Sequence, residues 1–228
     1  IVRALNTAGP QQRDVIVLFT DGEELGLVGA KNFFQAHPLR DKIGAVINFE
    51  ARGGGGTASM FQTSAENGAA ARLYARAVKQ PSTSSLSTFV YIVLPNDTDL
   101  TPALKKDYVA YNIANIGQAK YYHSPKITPD ALDEGTLQQM GSAGLDLTQA
   151  LLAANDLPEN QPDATFFDAF GLFTVVYAPF WGWIFLIGAA VFYVFSANLK
   201  TSRKDILSGA IRIVGFFLIG GGLLHGLN

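Results

Sequence analysis

The sequence predicts an α/β domain with a mostly parallel sheet, followed by membrane-spanning helices. Three observations predict it. Two short β-branched runs, "DVIVLF" and "IGAVINF", are bounded by turn residues, the pattern of strands buried on both faces. A helix-like stretch, "LGLVGAKNFFQAHP", lies between them and stops at Pro38, giving the strand, helix, strand order of a parallel unit. Downstream, no charged residue occurs from Ala169 to Leu199, a run longer than the ~20 apolar residues a spanning helix needs.

The remaining elements follow in order. "NGAAARLYARAVKQP" reads as a second helix and "DYVAYNIANIG" as a further strand. "DEGTLQQMGSAGLDLTQALLAAND" reads as a long helix with Leu137, Met140, Gly144, Leu147 and Leu151 on one stripe. Residues 1–163 are therefore assigned to the α/β domain and 164–199 to a linker and first transmembrane helix. The latter is centred on "WGWIFLIGAAVFYVF", with Tyr177, Trp181, Trp183 and Tyr193 suited to the interfaces. Residues 200–205 form a short basic loop, and 206–228 a second span carrying one charge, Arg212. Lys200, Arg203 and Lys204 lie beyond the first span, whereas Asp156, Glu159, Asp163 and Asp168 precede it, which places the α/β domain outside the cytoplasm, in a periplasm, lumen or exterior.

Composition narrows the chemistry. With 228 residues, 48% hydrophobic, the chain can bury one sizeable core and still have apolar sequence left over. A net charge of −2 carries no electrostatic footprint for nucleic acid, and none is expected as a partner. There is no cysteine, which removes disulfides, thiolate zinc sites and cysteine nucleophiles together. Any metal must be held by His, Asp or Glu. The opening "IVRALNTAGPQQRD" lacks an initiator Met and any signal-peptide pattern, and reads as a helix end entering a loop, so the chain is expected to be an N-terminally truncated fragment.

Ligands of open α/β sheets bind beyond the carboxyl ends of the strands. The first run ends in Thr20, Asp21, Gly22, Glu23 and Glu24, and the second in Asn48, Phe49, Glu50, Ala51 and Arg52, so adjacent parallel strands would deliver acids to one edge. Such a cluster needs cations or water to compensate it. In "YYHSPKITPD", His123 follows a strand-like segment and precedes Pro125, a position suited to a metal ligand, although a His taken alone is more often an ordinary surface or core residue. "LPNDTDLTPA" adds Asp97 and Asp99, in isolation simply a turn. No G-x-S-x-G elbow is present, which disfavours a serine hydrolase.

Taken in order, "FTDGEELGLVGAKNF", "NFEARGGGG", "PNDTDLTPAL" and "YYHSPKITPD" resemble the family 28 zinc metallopeptidases. The resemblance covers approximately residues 1 to 195 and is strongest to the membrane-bound branch, the vacuolar and endoplasmic-reticulum membrane proteases, since a Glu ends the second strand and apolar spans follow. "FFDAFGLFTVVY" also resembles that branch. The resemblance implies the C-terminal part of an α/β/α zinc-exopeptidase sandwich and a membrane-anchored aminopeptidase acting on peptides with two zinc ions. It implies Glu23 as general base and Glu24 as ligand to one zinc. Glu50 would bind the other zinc, and His123 would complete the protein ligands together with or opposite Glu50. Asp99 would orient a ligand or bound substrate. Asp21 and Arg52 are motif neighbours also explained by capping and local pairing, and Tyr122 serves a transition-state oxygen or packing.

The family's first zinc-ligand His and its bridging Asp find no match here, so the chain supplies three of five expected ligands and is expected by itself to bind zinc poorly and leave peptides intact. Competing readings are a non-catalytic receptor or scaffold, a single-zinc acyltransferase of the glutaminyl-cyclase type, and a transporter with a soluble appendage. Oligomeric state is not legible in the sequence.

Overall fold

The computed structural model describes residues 1–226 apart from 8, 10, 107 and 201, and no side chains at 197–200, 203, 217, 218 or 220–226. Two compact units are formed, Ile1–Ala178 and Pro179–Asn228.

In the first unit a short helix α1 (Val2–Asn6) is followed by α2 (Val28–Ala36), β1 (Ala45–Ala51), β2 (Gly55–Thr63), α3 (Gly68–Ala77), α4 (Ser85–Val93), a one-turn α5 (Thr101–Leu104), β3 (Val109–Gly117) and α6 (Glu134–Ala153). A hairpin, β4 (Thr165–Ala169) and β5 (Phe173–Tyr177), closes the unit. β3 is the central strand: it pairs parallel with β1 and antiparallel with β2, giving the order β1-β3-β2. The expected mostly parallel sheet is therefore mixed, because the Gly-rich run after Arg52 turns the chain straight back into β2 without a crossover helix.

A second correction concerns "DVIVLF". Asp14–Thr20 joins no ladder, and its apolar side chains from Val15 to Leu18 stay 41–50% exposed. The segment lies across from β1, with Ile16, Leu18 and Thr20 facing Val46 and Asn48 over a cavity of about 140 Å³. β-propensity marks a pleated, half-buried surface, but only a paired backbone makes it a strand.

Helices cover both sheet faces, as the alternation of β3 requires. Val109, Tyr111 and Ile113 pack with Met60, Ala70, Tyr74, Leu147, Leu151 and Phe166, on the side of α3 and α6. Ala110 points the other way, to Phe33 and Phe34 of α2 and Leu100 and Ala103 beside α5. α6 begins where Asp133 caps it, its carboxylate accepting the Thr136 N–H at 2.7 Å. Of its expected stripe, Gly144, Leu147 and Leu151 are buried, whereas Leu137 in the first turn is exposed.

In the second unit the expected spans are helices, α7 (Phe180–Lys200) and α8 (Arg203–Gly226). Among the described residues, no helix is long and apolar enough to cross a membrane. The C-terminal parts of both expected spans carry side chains that lie outside the described residues.

Candidate active site

The functional side chains gather where β1 and β3 end. Asn48, Phe49, Glu50 and Ala51 are the last four residues of β1, so alternation turns Asn48 and Glu50 to the same face. Glu23 and Glu24 sit in the turn that enters α2. That turn is knitted by its own backbone: Gly26 and Leu27 donate to the Glu23 carbonyl at 3.0 and 2.8 Å, and Gly29 donates to the Asp21 carbonyl at 3.0 Å. Gly22 and Gly26, both at positive φ, permit the reversal.

His123 follows β3 in a turn, itself at φ 50°, and its Nε2 lies 2.6 Å from Glu24 Oε1. The imidazole stacks on Tyr122 with centroids 3.9 Å apart, and the Arg52 guanidinium stands 5.2 Å over the Tyr122 ring. Arg52, Tyr122 and His123 thus form a continuous stack, and Glu24 meets the edge of the imidazole. Asp99 binds the Thr20 hydroxyl through Oδ2, while its buried Oδ1 has no partner among the described residues. Asp21 contributes its backbone to the turn, and its side chain is not part of the cleft wall.

A cleft of about 420 Å³ is lined by Glu23, Glu24, Glu50, Arg52 and Tyr122 on one side, and by Phe61, Val90, Tyr91, Leu94 and Ile116 on the other. Burial pushes the Glu23 carboxyl up, and Glu24, Glu50 and Asp99 push it further, against the lowering influence of His123. Glu50 is likewise raised, chiefly by burial and then by Asp99 and Glu24, with the Asn48 amide acting against them. No group of three or more metal-binding side chains is preassembled among the described residues.

Sequence reasoning missed the support beneath Glu50. Asn48 Nδ2 donates to Glu50 Oε1 at 2.9 Å and to Asn112 Oδ1 at 3.0 Å. Asn112, directly opposite Asn48 in the parallel register and fully buried, donates onward to Gln62 and Thr98, each at 2.9 Å. The amides cross all three strands, each bond running from an amide nitrogen to an oxygen of the next group, so that they fix one another's orientation. The signal was available: Asn48 and Asn112 are polar residues inside otherwise apolar strand patterns.

Comparison with known proteins bears on this arrangement. Endoplasmic reticulum metallopeptidase 1 of Homo sapiens is 28% identical over 237 residues, 95% of this chain and 26% of that protein. The same-named protein of Mus musculus is 28% identical, covering 86% of this chain and 23% of its own length. The vacuolar membrane protease of Saccharomyces cerevisiae is 31% identical over 187 residues, 78% of this chain and 19% of the protease. The chain therefore spans about a quarter or less of the length of these curated relatives. No solved structure matches it significantly. Residues 1–148, which include every acid and the histidine gathered at the sheet edge, match Peptidase family M28, and the chain belongs to that family.

Proposed function

We propose that the intact protein is a membrane-anchored, zinc-dependent exopeptidase of the aminopeptidase type, its peptidase unit outside the cytoplasm. The observation that carries this reading is the convergence of Glu23, Glu24, Glu50 and His123 on one sheet edge in a chain of Peptidase family M28. The donors suit zinc in kind, and the site favours a cation: Glu23 and Glu50 are raised by burial and by neighbouring acids, and Asp99 Oδ1 is buried without a partner among the described residues. Glu24 would hold one of the two ions expected in the intact enzyme and Glu50 the other, with His123 together with or opposite Glu50. Bound zinc lowers the pKa of a water and polarises a carbonyl.

The protein's own groups do the rest. Glu23, its carboxyl raised above the ordinary value by burial and by Glu24, Glu50 and Asp99, would accept the proton of the attacking water and hand it to the leaving amine. Glu24 is oriented by His123, and Glu50 by Asn48. The apolar wall of Phe61, Val90, Leu94 and Ile116 takes a substrate side chain and excludes water. Asp99 and Arg52 orient the ligands or the bound peptide. Membrane anchoring falls to α7 and α8, helices in apolar sequence, and accords with relatives named as endoplasmic reticulum and vacuolar membrane proteins.

The test, made on the intact protein because these 228 residues supply only three of the five expected ligands, is zinc content by atomic absorption alongside release of the N-terminal residue from aminoacyl amide substrates. Chelation should abolish release and zinc should restore it. Hydrolysis that persists in chelator, with no metal bound, refutes the reading.

A further inference from the structure

α4 has no charged face. Its sequence from Ser84 to Leu94 contains no charged residue. Three stripes point in three directions. Thr88 is buried where the helix packs on β2. Ser87, Val90, Tyr91 and Leu94 line the carboxylate cleft. Leu86, Phe89 and Val93 point away from both and are 69%, 62% and 61% exposed. The exposed stripe of this uncharged helix is purely apolar, and no element among the described residues covers it.

The neighbouring hairpin extends the same surface. β4 is tied to the start of α4: Phe166 N–H donates to Ser85 Oγ at 3.3 Å, and Thr83 and Asp168 exchange bonds of 2.9 and 3.0 Å. Phe170 at the hairpin tip is 97% exposed and Leu172 72%. Asp168, the one charge between Ala164 and Leu199, is turned inward, its two oxygens taken by the N–H groups of Thr83 and Gly171. The hairpin ends at Tyr177, and α7 follows from Phe180 without a charge before Lys200.

We propose that the outer stripe of α4, with Phe170 and Leu172, is a lipid-contacting surface that seats the peptidase unit on the bilayer. Protein partners meet such patches with a polar rim and hydrogen bonds; this surface offers neither charge nor free carboxylate, and its chain continues into charge-free sequence, which fits a lipid occupant. α4 is then a wall shared by bilayer and cleft, and the substrates favoured are peptides presented at the membrane surface. The inference rests on the membrane-anchored reading above.

The absence of cysteine allows single labels. The full chain carrying Phe89→Cys or Phe170→Cys is labelled with an environment-sensitive fluorophore and reconstituted in phosphatidylcholine vesicles with or without nitroxide-bearing acyl chains. Gln35→Cys on α2 serves as the water reference and Ile187→Cys in α7 as the anchor reference. Positions 89 and 170 should shift to the blue and be quenched by the nitroxide lipid about as strongly as 187, while 35 is not. Quenching at 187 with water-like emission at 89 and 170 overturns the surface and leaves the anchor standing. No quenching at 187 overturns the anchor, and the surface survives only if 89 and 170 are still quenched. A blue shift that depends on protein concentration, with no lipid quenching, means that a second copy covers the patch, which also overturns the proposal.

Discussion

His123 Nε2 lies 2.6 Å from Glu24 Oε1, although one residue follows the central strand and the other precedes the first long helix. Two proposed metal ligands are thus brought together by the turns that carry them. His123 is held at φ 50° and stacked on Tyr122, which fixes one face of the ring, while Glu24 meets its edge at Nε2. The contact joins two loops that share no ladder.

Glu23 takes no part in that contact, and its proposed role as base can be tested apart from metal binding. Glu23→Gln should lower turnover by about 10²- to 10⁴-fold, the usual worth of a general base, while zinc content stays unchanged. Atomic absorption and kcat measured on one preparation decide it. Full activity in the variant would assign the base elsewhere.

The amide chain beneath Glu50 makes a different prediction. Asn112→Leu removes the acceptor that orients Asn48 and strands Gln62 and Thr98 without their donor. Zinc affinity should fall about 10- to 100-fold, as for other partners of metal ligands, and stability by about 1–3 kcal/mol for the buried groups left unpaired. Tyr111→Phe, which removes a buried bond to the Ala70 carbonyl on the other sheet face, should lower stability and leave zinc affinity alone. Equal zinc loss in both variants would make the effect one of stability only.

Much of this arrangement was legible because it is written locally. The acids at Glu23, Glu24 and Glu50 follow apolar runs, and β1, α2, α3, β3 and α6 each carry a clear period. What was not legible depends on pairing between distant segments. Nothing in "DVIVLF" itself reports that its backbone groups join no ladder, and nothing in "GGTASMFQT" reports that it returns antiparallel along β3. The hairpin of Thr165–Ala169 and Phe173–Tyr177 was absorbed into apolar linker because its turn signal, Asp168 accepting the N–H of Gly171, is only two residues set in an otherwise apolar stretch. Period says which way a side chain points, not which strand it meets.

The raised carboxyls give a pH dependence with a defined sign. The folded chain holds the Glu23 and Glu50 protons more tightly than the unfolded chain does, so stability is greatest with both protonated. It declines as pH rises from the ordinary carboxylate range through the raised values. In metal-free protein the thermal midpoint should fall across that interval, and a Glu23→Gln, Glu50→Gln double variant should lack that part of the fall. Zinc should restore the midpoint at neutral pH, because it binds the folded form. Identical pH profiles for the two proteins would remove the electrostatic argument for a cation.

Gly29 tests whether the turn bearing the acids rests on α2 as described. It is the second residue of the helix, and a Cβ there would stand 2.8 Å from the Asp21 nitrogen and 2.9 Å from the Asp21 carbonyl oxygen, with Thr20 Cα at 3.2 Å. All three are backbone atoms that cannot rotate away. Alanine is the better helix former by about 1 kcal/mol, but overpacking of this kind costs about 1–3 kcal/mol and would lift the segment that carries Glu23 and Glu24. Gly141, inside α6, is the matched control, since a Cβ there meets nothing within 4 Å. Gly141→Ala should therefore stabilise the protein by up to about 1 kcal/mol, and Gly29→Ala should destabilise it and weaken zinc binding. Chemical denaturation of the two variants side by side gives the answer: if both gain stability, the turn does not lie against the helix, and the placement of Glu23 and Glu24 beside His123 loses its support.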